Sequence, residues 1–404
     1  MRDLLRADFL RAEAGGGLAL LLGSVAALVW VNVVDAGGYA SFWSTHLDLG
    51  IGDASIDESL GHWVNDCLMT FFFFLISLEI KRELVTGELR HPKRAALPII
   101  AALGGVVTPI ALFLLVSGGH HASGWGIPMA TDAAFAIGVL ALLGDRVGVG
   151  VKLFLVTIAV VDDVAAILVI AVAYTDHLSI GWLELAVAGL VGTAAMRLLG
   201  ARRILVYVPI GIFVWVATLE SGVHATLAGV ALALITPATP VRGRDVLGEL
   251  EHRLHPWVNY AILPLFALAN AGVKLGGGEL SDPAGRRIAL AVALGLVVGK
   301  FVGIAGATLA ALRLRLGALP SGVDLGGLLG AAALGGIGFT VSLFITPLAY
   351  DDPLLIGAAK LGILGGSLVS AAIGITIFAA TGVHPTREAD DRPTPATPSG
   401  LPPR

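Results

Sequence analysis

Long apolar runs separated by short polar turns fill almost the whole chain. Twelve of them approach the ~20 residues that a helix needs to cross a bilayer. They lie at 12–33, 60–80, 95–117, 124–143, 153–174, 180–197, 203–219, 222–237, 254–272, 288–312, 326–349 and 356–380. The run at 222–237 is the shortest and carries His224 and Thr226. Residues 45–58 alternate modestly and include Gly50, Gly52 and Asp53, which predicts a small external hairpin. The first apolar run follows Met1-Arg2-Asp3 without a small-residue cleavage site, so it reads as a retained helix rather than a signal peptide. These elements predict one membrane domain over 1–383, followed by a Pro-rich tail, 384–404, too polar to build a core.

Composition agrees with that reading. Of 404 residues, 56% are hydrophobic and 14% charged, against about 25% charged in a soluble domain. Cys67 is the single cysteine, which excludes an intrachain disulfide or a cysteine metal cluster. Lys and Arg are segregated. With the N-terminus inside, 21 of the 26 fall in inner segments, only Lys274, Arg286 and Arg287 fall outside, and Lys300 and Lys360 lie within spans. That asymmetry predicts both termini on the cytoplasmic side.

Against this apolar background a few charges stand out. Asp162 and Asp163 occupy the middle of 153–174, about 15 Å from either interface. Lys300 is central in 288–312, and Asp132 lies in the first half of 124–143. A charge at the bilayer centre costs about 2.5–3.5 kcal/mol even on the lenient insertion scale. One lysine cannot neutralise two adjacent carboxylates. Such a pair is stabilised by holding a proton or a cation, and oxygen ligands suit a hard alkali ion. A site that takes Na⁺ or protons, but not both, is the minimal chemistry of an antiporter.

Two spans look broken. Pro128-Met129-Ala130-Thr131-Asp132 interrupts one, and Gly335-Gly336-Ile337-Gly338-Phe339-Thr340 the other. Each is the middle of three spans, one triplet starting inside and the other outside, which predicts an inverted repeat around a midplane site. Asp132 could offset facing helix N-termini there, and Lys300 facing C-termini.

Seven stretches carry a family resemblance. They are ATDAAFAIGVLALLG (130–144), VVDDVAAILVIA (160–171), SGVHATLAG (221–229), HPWVNYAILPLFALANAGV (255–273), Gly299-Lys300, GGIGFTVSLFI (335–345) and LEIKREL (78–84). Together they resemble the NhaA sodium/proton antiporters from the first residues to about Thr381; that family is itself a standard example of an inverted repeat. The resemblance implies an all-α polytopic membrane protein of twelve transmembrane helices, with two crossed, discontinuous helices, in the bacterial inner membrane. It implies exchange of one cytoplasmic Na⁺ (or Li⁺) for two external protons, without a cofactor and without nucleic acid. By the same resemblance Asp162 and Asp163 are the Na⁺- and proton-binding pair, Lys300 is the partner of the first, and Asp132, Thr131, Gly338 and Thr340 belong to the crossing. Glu79, Arg82, Glu83, Glu251, His252 and His255 match a cytoplasmic cluster linked to pH activation, and the hairpin matches a homodimer contact. The chain departs from the family where Gly248-Glu249 replaces basic residues before Leu250-Glu251-His252, which bears on the set-point of pH activation.

Other readings explain fewer residues. A sodium-coupled solute symporter needs midplane polar or aromatic groups to orient a substrate, and aromatics make up only 7% of the chain. An intramembrane aspartyl protease would draw on Gly50-Ile51-Gly52-Asp53 and Tyr350-Asp351, but these lie at span ends and in the wrong order. A passive channel would be held up by a deep carboxylate pair that retains its ion.

Overall fold

The structure, a computed structural model, describes residues 2–51, 54–175, 178–199, 204–240, 243–276 and 278–381. The expected tail, and Gly52 and Asp53 of the expected hairpin, lie outside the described residues. Nine helices among those described are long and apolar enough to cross a membrane: Gly15–Val34, Leu60–Val85, Ala95–Ser117, Ala122–Leu142, Val149–Ala173, Ile180–Leu198, Pro283–Arg313, Leu325–Ala349 and Pro353–Thr381. Two shorter apolar helices, Leu205–Glu220 and Thr226–Ile235, cover the runs at 203–219 and 222–237. The run at 254–272 belongs to a helix that begins earlier. Val246–Trp257 continues through a π turn, Val258–Ile262, into Leu263–Asn270. Its start is set by Asp245, whose side chain accepts from Gly248 N. The charged turns ahead of Leu254 hide that start in a hydropathy reading.

Burial is inverted relative to a water-soluble protein. Leu142, Val172, Leu198 and Leu205 are each at least 80% exposed, while Asp162 and Lys300 are fully buried. Apolar surface of this kind suits lipid, and the polar groups gather inside. The Leu325–Ala349 window is 94% buried and that of Ile180–Leu198 only 17%, so the second broken span forms the centre of the bundle.

Several ends inside the bundle need partners, because a membrane offers no water to unpaired backbone groups. The ten-residue helix Thr226–Ile235 is only about 15 Å long. Its C-terminal carbonyls are met by cations. Lys81 Nζ donates to Leu234 O at 2.5 Å and also to Thr236 O, and Arg197 Nη1 donates to Ile235 O at 2.8 Å. Cations at that end also suit the helix dipole.

A short helix, Ala36–Trp43, follows the first span and was not evident from hydropathy. Tyr39 anchors it, its hydroxyl lying 2.9 Å from Leu268 O and 2.6 Å from Ala269 O and sharing its one proton between them. His46–Ile51 and Ala54–Ser59 then pair antiparallel, with His46 opposite Ser59 and Ile51 opposite Ala54. They form a two-stranded antiparallel sheet on an otherwise helical fold.

Candidate functional site

Both broken spans interrupt their helices where Pro and Gly stand. The first is a 3-10 segment, Ala122–Met129, then extended residues 130–132, then an α-helix, Ala133–Leu142. The second is Leu325–Leu334, residues 335–338, then Phe339–Ala349. Their interruptions lie against each other. Asp132 N donates to Ile337 O at 2.6 Å, and Ser342 Oγ donates to Ile127 O at 2.6 Å. Gly338 allows this approach, because a Cβ there would stand 2.4 Å from Ser342 Oγ and 3.0 Å from Ala130 O.

Asp132 caps two helices with one carboxylate. Its Oδ1 accepts from Phe135 N at 2.9 Å, at the start of Ala133–Leu142, and its Oδ2 accepts from Thr340 N at 2.9 Å, at the start of Phe339–Ala349. A negative charge between two helix N-termini is favoured by both dipoles. Thr131 deals with the opposite polarity. Its hydroxyl lies 2.7 Å from Gly335 O, just past the C-terminus of Leu325–Leu334, and 2.7 Å from Asp162 Oδ2.

The helix Val149–Ala173 brings Asp162 to the place where the two interruptions meet, with Asp163 beside it. Lys300 Nζ donates to Asp162 Oδ2, and both side chains are fully buried. Of its two expected partners, facing C-termini and Asp162, Lys300 takes the second. Its ammonium reaches Asp162, and Thr131 takes the C-terminal carbonyl. A π turn, Gly295–Gly299, immediately precedes Lys300 and sets the face from which it projects. Asp162 Oδ1 is buried with no hydrogen-bond partner among the described residues.

Asp163 makes no hydrogen bond to the described residues and is 7% exposed. It lines a small, partly open funnel. Glu79, Thr131, Asp132, Asn259 and Thr340 supply the other polar lining, among apolar residues such as Phe72, Val160 and Val341. Asn259, 3% exposed, was not singled out from the sequence. As one amide in the apolar stretch HPWVNYAILPLF it offered only a weak signal. Its Nδ2 lies 3.3 Å from His255 Nδ1.

The remaining cluster residues are only partly brought together. Arg82 Nη1 pairs with Glu251 Oε2 at 2.6 Å, and Glu79 lines the funnel beside them on the same helix as Arg82. Glu83 folds back over Gly87. His252 faces solvent, so it forms no pair with His255, which turns toward Asn259. Glu249 sits in the turns ahead of the apolar run, where Arg244 Nε and Nη2 grip its carboxylate at 2.7 and 2.8 Å and Arg253 Nη2 reaches it at 2.7 Å. The hydrogen bonds from Arg244 hold the Glu249 carboxyl below its ordinary range.

Deep carboxylates, a buried ammonium and two interrupted helices around one funnel suit a small cation or a proton far better than an organic substrate. A sequence profile of the family described as Na+/H+ antiporter 1 matches residues 7–378. The chain is 45% identical to the Na(+)/H(+) antiporter NhaA 2 of Erythrobacter litoralis, across 95% of this chain and 96% of that protein. It is also 45% identical to the Na(+)/H(+) antiporter NhaA of Escherichia coli, across 91% of this chain and 95% of the relative. A Frankia alni protein, Na(+)/H(+) antiporter NhaA 3, is 44% identical across 93% and 88%. By profile, identity and coverage alike, the chain belongs to the NhaA family of Na⁺/H⁺ antiporters.

Proposed function

We propose that this chain exports cytoplasmic Na⁺, or Li⁺, in exchange for two external protons, with Asp162 and Asp163 as the shared binding pair. The observation that carries the reading is the state of the two carboxylates. Asp163 faces the funnel without a hydrogen-bond partner among the described residues, and Asp162 keeps one oxygen unpartnered while the other holds Lys300. An alkali cation or protons satisfy those oxygens, and each excludes the other. The pair titrates as a unit, so no separate affinity belongs to either member.

Thr131 links that chemistry to the crossing. A hydroxyl carries one proton, and Thr131 faces two acceptors at 2.7 Å, Asp162 Oδ2 and Gly335 O. With Asp162 ionised, Thr131 satisfies only one of them. With Asp162 protonated, Asp162 donates to Thr131 while Thr131 donates to Gly335 O. The proton on Asp162 therefore decides whether the end of Leu325–Leu334 keeps its partner, which couples binding to the conformation of the second broken span.

In this reading the fold is the twelve-helix inverted repeat with the funnel open to the cytoplasm. Both termini are cytoplasmic, the protein lies in the bacterial inner membrane, and the hairpin serves a homodimer. Glu79, Arg82, Glu83, Glu251, His252 and His255 form the region that tunes activity to pH. Two protons entering for each Na⁺ leaving moves one positive charge inward, so an interior-negative potential of 100 mV assists each cycle by about 2.3 kcal/mol. Competition at a shared site also makes apparent Na⁺ affinity rise with pH.

The test is proton flux from everted vesicles on addition of Na⁺, Li⁺ or K⁺ across pH, with the potential clamped by K⁺ and valinomycin where K⁺ is not the test ion. Na⁺ and Li⁺ should release protons in a clamp-dependent way. Rates indifferent to the clamp would mean one-for-one exchange, and apparent affinity flat with pH would exclude a shared carboxylate site.

A further inference from the structure

Two tyrosines outside the ion pair hold the far end of the first broken span. Tyr174 terminates Val149–Ala173, the helix that bears Asp162 and Asp163, and Tyr350 terminates Phe339–Ala349, half of the crossing. Both are at least 92% buried. Both hydroxyls turn onto the main chain of one short stretch, residues 121–126. Tyr174 OH donates to Ser123 O at 2.7 Å and accepts from Gly126 N at 3.2 Å. Tyr350 OH donates to His121 O at 2.9 Å. The Trp125 ring stacks on Tyr174 with centroids 6.3 Å apart. Gly124 and Gly126 cradle the rings, since a Cβ at either would stand 2.1 Å from Tyr350 OH or 2.7 Å from Tyr174 OH.

We propose that Tyr174 and Tyr350 form the outer seal of the transport path, holding Ala122–Met129 as a plug between the carboxylate pair and the external solution. Three lines of geometry support it. The funnel that Asp163 lines is shared with Glu79 and Asn259, and none of its lining comes from residues 121–129. The plug is packed, with Gly124, Gly126, Ile127, Pro128 and Met129 all buried. The ties are side-chain hydroxyls on backbone groups, so they can part and re-form without breaking a helix. His121, at the start of the plug, has φ of +52°, a region that L side chains rarely adopt, and it is Tyr350 that holds its carbonyl.

A seal of this kind favours the inward-open form, and its release is the first event of outward opening. The tyrosines are positioning residues: they touch neither ion nor carboxylate. Phenylalanine at both positions keeps the rings and removes every tie. The proposal rests on the antiport reading, so its test reports both. In a background with Cys67→Ser, a reporter thiol is placed by Met129→Cys, a side chain fully buried at the base of the plug. Right-side-out vesicles are treated with a membrane-impermeant thiol reagent, and half-maximal Na⁺ for proton exchange is measured from each face.

Loss of three hydrogen bonds should raise the outward-open population, and with it the labelling rate, by at least about tenfold, the figure for the low end of their net strength. The half-maximal Na⁺ should rise from the cytoplasmic face and fall from the external face, because affinity scales with the fraction in the competent form. A tyrosine that only stabilised the fold would shift both faces alike. Unchanged labelling together with unchanged affinity at both faces, in vesicles where the parent exchanges Na⁺ for protons, overturns the seal. Parent vesicles lacking Na⁺-driven exchange overturn the transport reading instead. If the double variant does not accumulate, Tyr174→Phe and Tyr350→Phe are compared singly: intermediate labelling supports the seal, and parental labelling in both overturns it.

Discussion

Gly303 and Gly104 meet where the Lys300–Arg313 helix crosses Pro92–Ser117. A Cβ on Gly303 would stand 2.2 Å from the Gly104 carbonyl oxygen and 3.0 Å from Thr108 Cβ. Ordinary contact is about 3.5 Å, so the two helices would have to separate by about 1 Å. The obstacle is backbone, which has no rotamer to change. Gly306, three residues further along, is exposed, and a Cβ there would meet nothing within 4 Å. The intrinsic gain of Gly→Ala in a helix, about 1 kcal/mol, applies to both positions and cancels in the comparison. The difference between Gly303→Ala and Gly306→Ala therefore isolates overpacking, about 1–3 kcal/mol. Gly303 is also one turn from Lys300, so a parting of the helices moves the ammonium away from Asp162. Gly303→Ala should melt below the parent in detergent and lose Na⁺-driven proton flux, whereas Gly306→Ala should melt at or above it with flux intact. Equal melting and equal flux for the two variants would refute the claim that this contact fixes Lys300.

Asp163→Asn should abolish exchange while the protein still inserts, since the amide keeps the volume but binds no proton; robust Na⁺-driven flux from it would remove Asp163 from the site. Asp132→Ala removes the acceptor from two helix N-termini, a loss of about 1–4 kcal/mol at 0.5–2 per cap, and Asp132→Asn, which keeps one carbonyl oxygen, should lose about half as much. Equal melting of the two Asp132 variants would contradict the double cap. Glu249 carries a folded-state carboxyl held low by Arg244, so its contribution is present above the ordinary glutamate range and disappears only as pH falls through the lowered value. It stays ionised through neutral and alkaline pH, and Glu249→Gln should leave the midpoint of the pH–activity curve in place; a shifted midpoint would make Glu249 part of the trigger.

The ion pair was legible because a charge inside an apolar run is costly enough to need a reason, and the interruptions because Pro128 and the Gly335–Gly338 run cannot continue a helix. Other features left no comparable mark. A π turn such as Gly295–Gly299 is one extra residue in a helix of ordinary composition, so nothing in the pattern announces how Lys300 is aimed. Tyr174 and Tyr350 look like aromatic residues at a membrane interface, and only the fold reveals that their hydroxyls converge on one stretch. The sequence offered Lys300 two kinds of partner, facing helix C-termini and Asp162, and the structure pairs it with Asp162. A facing carboxylate attracts an ammonium more strongly than the partial charge of a helix end, and Thr131, the smaller group, suffices for the carbonyl.

The two partners of Asp132 and Thr131 in the second broken span, Thr340 and Gly335, lie 208 and 204 residues further along the chain. At 5–20 residues per second a ribosome needs roughly 10–40 s to cover that distance. Through that interval the newly inserted Ala122–Leu142 segment has neither its crossing partner nor a use for its buried acid. A polypeptide in this condition is a substrate for membrane proteases and insertion chaperones rather than a finished helix. Truncations that end before Phe339 should therefore be degraded as a class, wherever the cut falls, while loss of residues beyond Thr381 leaves the crossing complete.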